Sequence, residues 1–311
     1  MHNSSCTVKE TARKILESGQ AERLLGWEQD SSGYNHAPAV FKSAGELDRF
    51  IYDRFCGSNL SKLLARLREA EGRTAVLLKA CDRESFNLLV REHRIDPEQV
   101  HRVDIECSGM VDIEKLRNKG IKGIREITES GDELHISTLY GEKRCRSEEV
   151  LLEKCLSCPA VSSADAFDAV GQMEERSSLE RYEFWKEALS TCIRCNACRN
   201  SCPVCTCEQC IFDNPRSGTA GKASADFFED QHFHLVRVFH AAGRCTDCGE
   251  CTRVCPQGIP LYLLNRKVIK DINELYGELS LEDKELGKGA LTSFSFQDAH
   301  PDIIRKRTGD Q

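Results

Sequence analysis

The spacing of apolar positions changes along the chain, and the changes divide it. Residues 8–18 carry a helical spacing that Gly19 stops. Arg23–Glu28 and Ala37–Lys42 are short apolar runs that read as strands, joined by the turn-rich Asp30-Ser31-Ser32-Gly33. Residues 44–54 and 59–71 read as helices. In the second, Leu60, Leu63, Leu64 and Leu67 fall on one face. Thr74–Lys79 reads as a strand, Arg83–Arg94 as a helix, Val100–Glu106 as a strand and Asp112–Asn118 as a helix. This rhythm predicts an α/β region with a partly parallel sheet and flanking helices.

Ile124–Glu129 and Glu133–Tyr140, around Ser130-Gly131-Asp132, predict a hairpin, and Ser147–Lys154 a helix. Residues 1–158 are therefore expected to form an α/β domain, and the small, polar stretch 159–178 a linker. From 179 to 279 the chain reads as mainly α-helical between cysteine runs. Its helices are expected at 179–191, 225–242 and 261–276, the second resting on Phe227, Phe228, Leu235, Val236 and Phe239. Residues 280–311 read as a C-terminal tail.

Composition narrows the class. A chain of 311 residues holds two or three domains. Forty per cent apolar and 30% charged is an ordinary soluble mixture. No apolar run approaches the roughly 20 residues of a membrane span. The opening residues lack a basic segment followed by an apolar one, so no secretory signal is read. A net charge of -7 argues against a nucleic-acid partner. Eighteen cysteines without an export signal point to a reducing cytoplasmic setting and to metal.

One cysteine pattern occurs twice. Cys192-Ile-Arg-Cys195-Asn-Ala-Cys198-Arg-Asn-Ser-Cys202-Pro203 is followed by Cys245-Thr-Asp-Cys248-Gly-Glu-Cys251-Thr-Arg-Val-Cys255-Pro256. Both follow the bacterial ferredoxin run of 4Fe–4S proteins, in which the fourth cysteine serves the other cluster. The expected sets are thus Cys192, Cys195, Cys198 and Cys255, and Cys245, Cys248, Cys251 and Cys202. Structural zinc is the alternative, but a zinc knuckle needs only four ligands, and two complete runs exceed that.

Cys202 and Cys245 stand 43 positions apart, too far for a compact two-hairpin ferredoxin. The helical insert resembles the α-helical ferredoxin modules of succinate dehydrogenase and heterodisulfide reductase iron–sulfur subunits. That resemblance implies two clusters held between helices.

Ten cysteines lie outside the repeat. Cys6 and Cys145 read as plain thiols. Cys205, Cys207 and Cys210 are dense enough for a third cluster, which Cys155 and Cys158 would complete, with zinc on the same residues as the alternative. Cys81 and Cys107 each follow a strand of the parallel sheet, whose carboxyl ends converge on one crevice. The loop holding Cys56 is expected to face it. A fourth cluster would join Cys56, Cys81 and Cys107 to Cys155 or Cys158. Buried cysteines acting as small apolar residues are the alternative.

No glycine-rich dinucleotide fingerprint or phosphate loop is present. The Cys107-Ser108-Gly109-Met110 turn reads as an ordinary strand-to-helix turn. Arg181, Arg194, Arg199 and Arg253 lie near the cysteine runs and read as solvated surface charges. His232 and His234 stand two apart, not on one helical face, so no metal pair is expected there.

Several segments together resemble a known family. They are Leu78-Lys79-Ala80-Cys81-Asp82, Arg54-Phe55-Cys56 with Asn59-Leu60, and Cys107-Ser-Gly-Met-Val-Asp112. To these are added the two runs with Cys202-Pro-Val-Cys205-Thr-Cys207 and Gly243-Arg-Cys245. The resemblance, over roughly residues 10–270, is to the beta-subunit family of formate dehydrogenases and deazaflavin-reducing hydrogenases.

It implies an iron–sulfur electron-transfer subunit of a hetero-oligomeric oxidoreductase. The partner would be a catalytic formate dehydrogenase or hydrogenase subunit. The acceptor would be a ferredoxin, a heterodisulfide-reductase-like flavoprotein or a deazaflavin. Some members hold FAD in the α/β half. A subunit that itself carries FAD and reduces a coenzyme is the second reading, and a zinc-stabilised assembly protein the third.

Overall fold

The computed structural model describes residues 2–31, 34, 36–67, 71–131, 133–162, 165, 168–217 and 227–277. Helix α1 (His2–Glu17) buries Ala12 and Ile15 in the N-terminal core. A five-stranded sheet comes next: β1 (Arg23–Glu28), β2 (Ala37–Phe41), β3 (Phe50–Ile51), β4 (Thr74–Leu78) and β5 (Val100–Asp104). The order is β2-β1-β4-β5, with β3 also on β1. β1 is antiparallel to β2 and β3 but parallel to β4, which is parallel to β5. Helix α2 (Ser61–Arg66) precedes β4, and α3 (Ala80–Arg91) joins β4 to β5. Every residue of β4 is buried, as expected of a central parallel strand covered on both faces.

Strand register brings two cysteines to one edge of this sheet. Leu78 pairs with Asp104, so β4 and β5 end level. Cys81 and Cys107 each come three residues after these ends and leave the same edge.

The helix expected over 44–54 is instead a 3-10 turn, Ala44–Arg49, followed by β3. Phe50 and Ile51 pair with Glu28 and Trp27, and the sheet overrides local helical spacing. The helix expected to 71 stops at Arg66. Helix α3 starts at Ala80, earlier than Arg83, because Asp82 accepts the Lys79 backbone N–H at 3.3 Å and caps the first turn. Cys81 is therefore in a helical turn.

After α4 (Ile113–Asn118) comes a three-stranded antiparallel sheet: β6 (Ile124–Ser130), β7 (Glu133–Thr138) and β8 (Gly141–Arg146). Only a hairpin was expected. The third strand, Gly-Glu-Lys-Arg-Cys-Arg, is an exposed edge whose charges hide its strand character. Cys145 sits on it opposite Leu134. The helix expected over 147–154 is broken into a 3-10 turn, Ser147–Val150, and the short α5 (Glu153–Leu156). Between them the extended Leu151 bridges to Val111, and Leu152 donates its N–H to the Met110 carbonyl at 2.8 Å.

Part of the expected linker is helical. Helix α6 (Asp168–Glu174) buries Val170 and ties Glu174 to Lys267 and Lys270. The remaining helices are α7 (Ser178–Ser190), α8 (Ala197–Ser201), α9 (Phe227–Ala241), α10 (Glu250–Arg253) and α11 (Leu261–Tyr276). A second core joins Leu189, Phe212, Phe233, Ile259 and Leu261 to Cys198 and Cys251. Helix α9 lies where expected but turns a different face inward. Phe233, His234, Arg237, Val238 and Ala241 are buried, whereas Phe228, Leu235 and Phe239 are exposed. The tail 280–311 lies outside the described residues. No described helix is long and apolar enough to cross a membrane.

The two regions meet along a polar seam. Ser85 and Thr246 share a 2.8 Å hydroxyl contact, and Arg244 Nη2 reaches Glu92 at 2.6 Å. Arg266 donates to Ser157 at 2.6 Å. Leu88, Val204 and Ala241 form a small apolar cluster beside Cys202 and Cys245.

Candidate metal centres

The two cysteine runs share an unusual backbone. Arg194 and Asn196 have φ of 52° and 60°, and their counterparts Asp247 and Gly249 have 49° and 66°. Left-handed residues at the same two places of each run fold it into a tight concavity, whose amides turn inward toward negative charge. The Arg194 N–H donates to Cys192 Sγ at 3.4 Å, and the Asp247 N–H does the same for Cys245. Gly249 is also required by space: an added Cβ would lie 2.6 Å from Lys154 Cβ. Asparagine, which tolerates the left-handed region, suffices at 196.

Each run contributes to two clefts. One cavity of about 20 Å³ is lined by Cys192, Cys195, Cys198 and Cys255, with Phe233, His234, Ile259 and Leu261 among its walls. A second of about 20 Å³ is lined by Cys202, Cys245, Cys248 and Cys251, with Arg237, Ala241, Tyr262 and Asn265. The fourth cysteine of each run thus lies with the first three of the other. Asn265 Nδ2 donates to Cys251 Sγ at 3.1 Å. The Glu250 N–H serves Cys248, and the Val204 N–H serves Cys202.

Burial dominates the electrostatics. It pushes the Cys198 thiol up to about 11, against the opposing charge of Arg237. It also raises Cys192, Cys245, Cys248 and Cys251. Thiols held this way are poor free thiolates, whereas coordination to iron replaces the proton. His234 Nε2 lies 3.3 Å from Cys192 Sγ. Burial, and the charges of Arg237 and Arg194, push its imidazole down to about 3. A neutral ring protonated at Nε2 donates to that sulfur. Arg194 was expected at the surface; its side chain is only 7% exposed and stacks on Phe233 at 4.3 Å.

The four-cysteine sets fit a cubane in three respects: thiolate donors, inward amides, and a buried cation, Arg237, whose Nε and Nη2 have no hydrogen-bond partner. Among the described residues no three His, Cys, Asp or Glu side chains converge tightly enough to hold a single metal ion. A cubane asks for a wider set, because each thiolate binds its own iron.

The crevice at the end of β4 and β5 gathers more cysteines. Cys107 lies close enough to couple with Cys81, Cys155 and the Tyr52 hydroxyl, as Cys158 does with Cys155. Burial pushes Cys81 up to about 12 and raises Cys56 and Cys155. Cys155 Sγ accepts the Met110 N–H at 3.3 Å, and Cys56 Sγ that of Asp53 at 3.4 Å. Beneath them lies a buried ion pair, Lys79 Nζ to Asp82 Oδ2 at 2.8 Å, with the ammonium 4.1 Å from the Trp27 ring centroid.

Cys205 lies beside Cys202, whose thiol donates to it and lowers it, and its carbonyl accepts from Lys62. Cys210 accepts from Arg199, and Cys207 is exposed. Cys155 couples to Cys107 and Cys158.

A buried charge relay bridges crevice and second cleft. Lys154 Nζ contacts Glu250 Oε1 at 3.1 Å and the Gly57 carbonyl at 2.8 Å. Arg253 grips Glu250 with two 2.8 Å bonds. Burial opposes the Lys154 charge, but Cys81, Glu250 and Asp82 outweigh it and raise the ammonium. Sequence reading missed His234, Arg237, Asn265 and Lys154. The only trace was His234 and Arg237 three apart on a helix, on a face the apolar pattern did not select.

Residues 188–259, which carry both cysteine runs, match the 4Fe-4S dicluster domain family. The chain is also 20% identical to the F420-dependent formate dehydrogenase subunit beta of Methanocaldococcus jannaschii, over 88% of this chain and 90% of that protein. The F420-reducing [NiFe] hydrogenase complex from Methanosarcina barkeri contains a chain with partial similarity: TM-score 0.38, 12% identity, 49% of this chain and 58% of that one.

Proposed function

We propose that the chain is an iron–sulfur electron-transfer subunit of an oxidoreductase complex, with one 4Fe–4S cluster in each four-cysteine cleft. Cys192, Cys195, Cys198 and Cys255 hold the first, and Cys245, Cys248, Cys251 and Cys202 the second. The observation that carries the reading is that each cleft is lined by three cysteines of one run and the fourth of the other, in two runs with left-handed residues at the same two places. A third cluster belongs in the crevice on Cys81, Cys107 and Cys155, with Cys56 or Cys158 as fourth ligand. When bound, each cluster takes up and releases one electron.

The residues around them do the rest. Backbone amides and Asn265 donate to sulfur and favour the reduced form. His234 holds Cys192, and Ile259, Leu261 and Phe233 form the apolar inner wall of the first cleft. Lys154, between Cys81 and Glu250, places a fixed positive charge between crevice and second cleft. The electron path then runs from crevice to second cleft to first cleft, where Cys195 is exposed to a partner.

The partner is a catalytic subunit of formate dehydrogenase or hydrogenase type, on the likeness to a formate dehydrogenase beta subunit. The other terminus is a ferredoxin or heterodisulfide-reductase-like flavoprotein, in a cytoplasmic complex. Iron, sulfide, zinc and flavin per chain after anaerobic purification test this. About 12 iron with matching sulfide is expected for three clusters. About eight would leave the crevice cysteines as structural thiols. Stoichiometric FAD would favour a subunit that reduces a coenzyme itself, and zinc without sulfide would sink the electron-transfer reading.

A further inference from the structure

Helix α9 turns one polar face toward both clefts. His234 and Ala241 are seven residues, or about 10 Å of helical rise, apart. The first stands beside Cys192, and the second lines the other cleft. Arg237 lies between them. It is only 4% exposed, and its Nε and Nη2 are buried without a hydrogen-bond partner. Its ion pairs among the described residues include no carboxylate. The groups near enough to balance it are the sulfurs of Cys251, Cys198, Cys202 and Cys205, which carry negative charge only once their protons are replaced. Cys198 belongs to the first set, and Cys251 and Cys202 to the second. A buried guanidinium without an anion is strongly unfavourable, so the cysteine sets themselves must supply its counter-charge.

We infer that Arg237 is a positioning cation shared by both clusters, an inference that rests on the two-cluster reading. Reduction adds one electron to a cluster and makes its site one unit more negative, with no bond made or broken. A positive charge in low dielectric beside both sites stabilises both reduced forms and raises both potentials. Arg194 cannot take this part, because it is turned to Asp230 and the Phe233 ring. Arg253 cannot either, because Glu250 holds it with two bonds.

The test is a potentiometric titration of the anaerobically purified full chain, followed by EPR. In Arg237→Gln with its iron retained, both midpoint potentials should fall, each by at least tenfold in the reduction equilibrium, or 59 mV for one electron. Arg237→Lys should recover most of the shift. A glutamine variant in which either potential stays at the wild-type value overturns the inference. If no neutral residue at 237 (Gln, Met or Leu) permits iron loading while lysine does, a required charge is supported. If lysine also fails and circular dichroism shows an unfolded chain, the side chain is needed for packing alone and the inference falls. Failure of the two-cluster reading itself is separate: the wild-type chain would then lack the iron and sulfide.

Discussion

The two cysteine runs have the same spacing and the same left-handed positions, yet they sit in different surroundings. The first cleft is at an open edge. Cys195 is exposed, Ile193 beside it is 60% exposed, and His234 forms part of the wall of a larger apolar cavity of about 740 Å³. The helices around that cavity, α6, α7, α9 and α11, are tied in part by the half-exposed pairs of Glu174 with Lys267 and Lys270. The second cleft is closed. Cys248 and Cys251 are buried, and Glu250 between them is locked by Lys154 and Arg253. Ligand spacing thus determines a local turn, while residues far away in sequence determine whether that turn meets water. On the proposed reading, the first cleft would exchange electrons with a partner and the second would pass them inside the chain.

The sharpest way to break this comparison is to ask which cleft loses iron when Cys202 is changed. Cys202 is in the first run but lines the second cleft. Cys202→Ser should remove one cluster. Adding Cys251→Ser should remove no more, because both ligate the same cluster. Adding Cys195→Ser instead should remove the other cluster as well. Iron and sulfide counts on the three variants read this directly. Additivity in the opposite pattern would return Cys202 to its own run.

The next effect is on stability. Glu250 is 2% exposed and accepts from two cations. Glu250→Gln leaves the buried Lys154 and the partly buried Arg253 with a neutral partner. Removing one member of such a pair costs about 3–5 kcal/mol. Chemical denaturation under anaerobic conditions should show a loss of that order. A loss below about 1 kcal/mol, the scale of an exposed pair, would mean that water reaches the seam and that the second cleft is not closed.

Much of this was legible in the chain, and the gaps have physical reasons. The parallel strands Thr74–Leu78 and Val100–Asp104 announced themselves as apolar runs followed by helices, and with them the edge that carries Cys81 and Cys107. The grouping of each fourth cysteine with the other run was an expectation from the whole ferredoxin run, and the residues lining the two clefts group in that way. What was not legible is what surrounds the thiols. Helix α9 was legible as a helix, but its apolar pattern did not tell which face is inward, since the chain puts His234 and Arg237 inside and leaves Phe228 and Phe239 out. Apolar periodicity finds the buried face only where the interior is apolar; here the interior includes sulfur that needs donors and cations. The strand Gly141–Arg146 was missed for the converse reason, as charges on an exposed edge mask a strand whose backbone is fully paired with β7.

The smallest expected effect completes the contrast between buried and exposed anchors. Glu174 bonds Lys267 and Lys270, and these two ammonium groups hold its carboxyl down to about 2. Its folded value lies below the ordinary carboxylate value of about 4.3. The stabilisation is therefore fully present above that pH and is lost as pH falls from there toward 2. Both lysines and Glu174 are partly open to solvent, so screening keeps the pairs weak. Glu174→Gln should leave global stability almost unchanged while raising amide exchange in α6, whose other anchor is the buried Val170. High salt should reproduce the effect in the wild-type chain and leave the Glu250 anchor untouched. A Glu174 variant as damaging as Glu250→Gln would show that the first cleft is as closed as the second, and the functional division between them would fail.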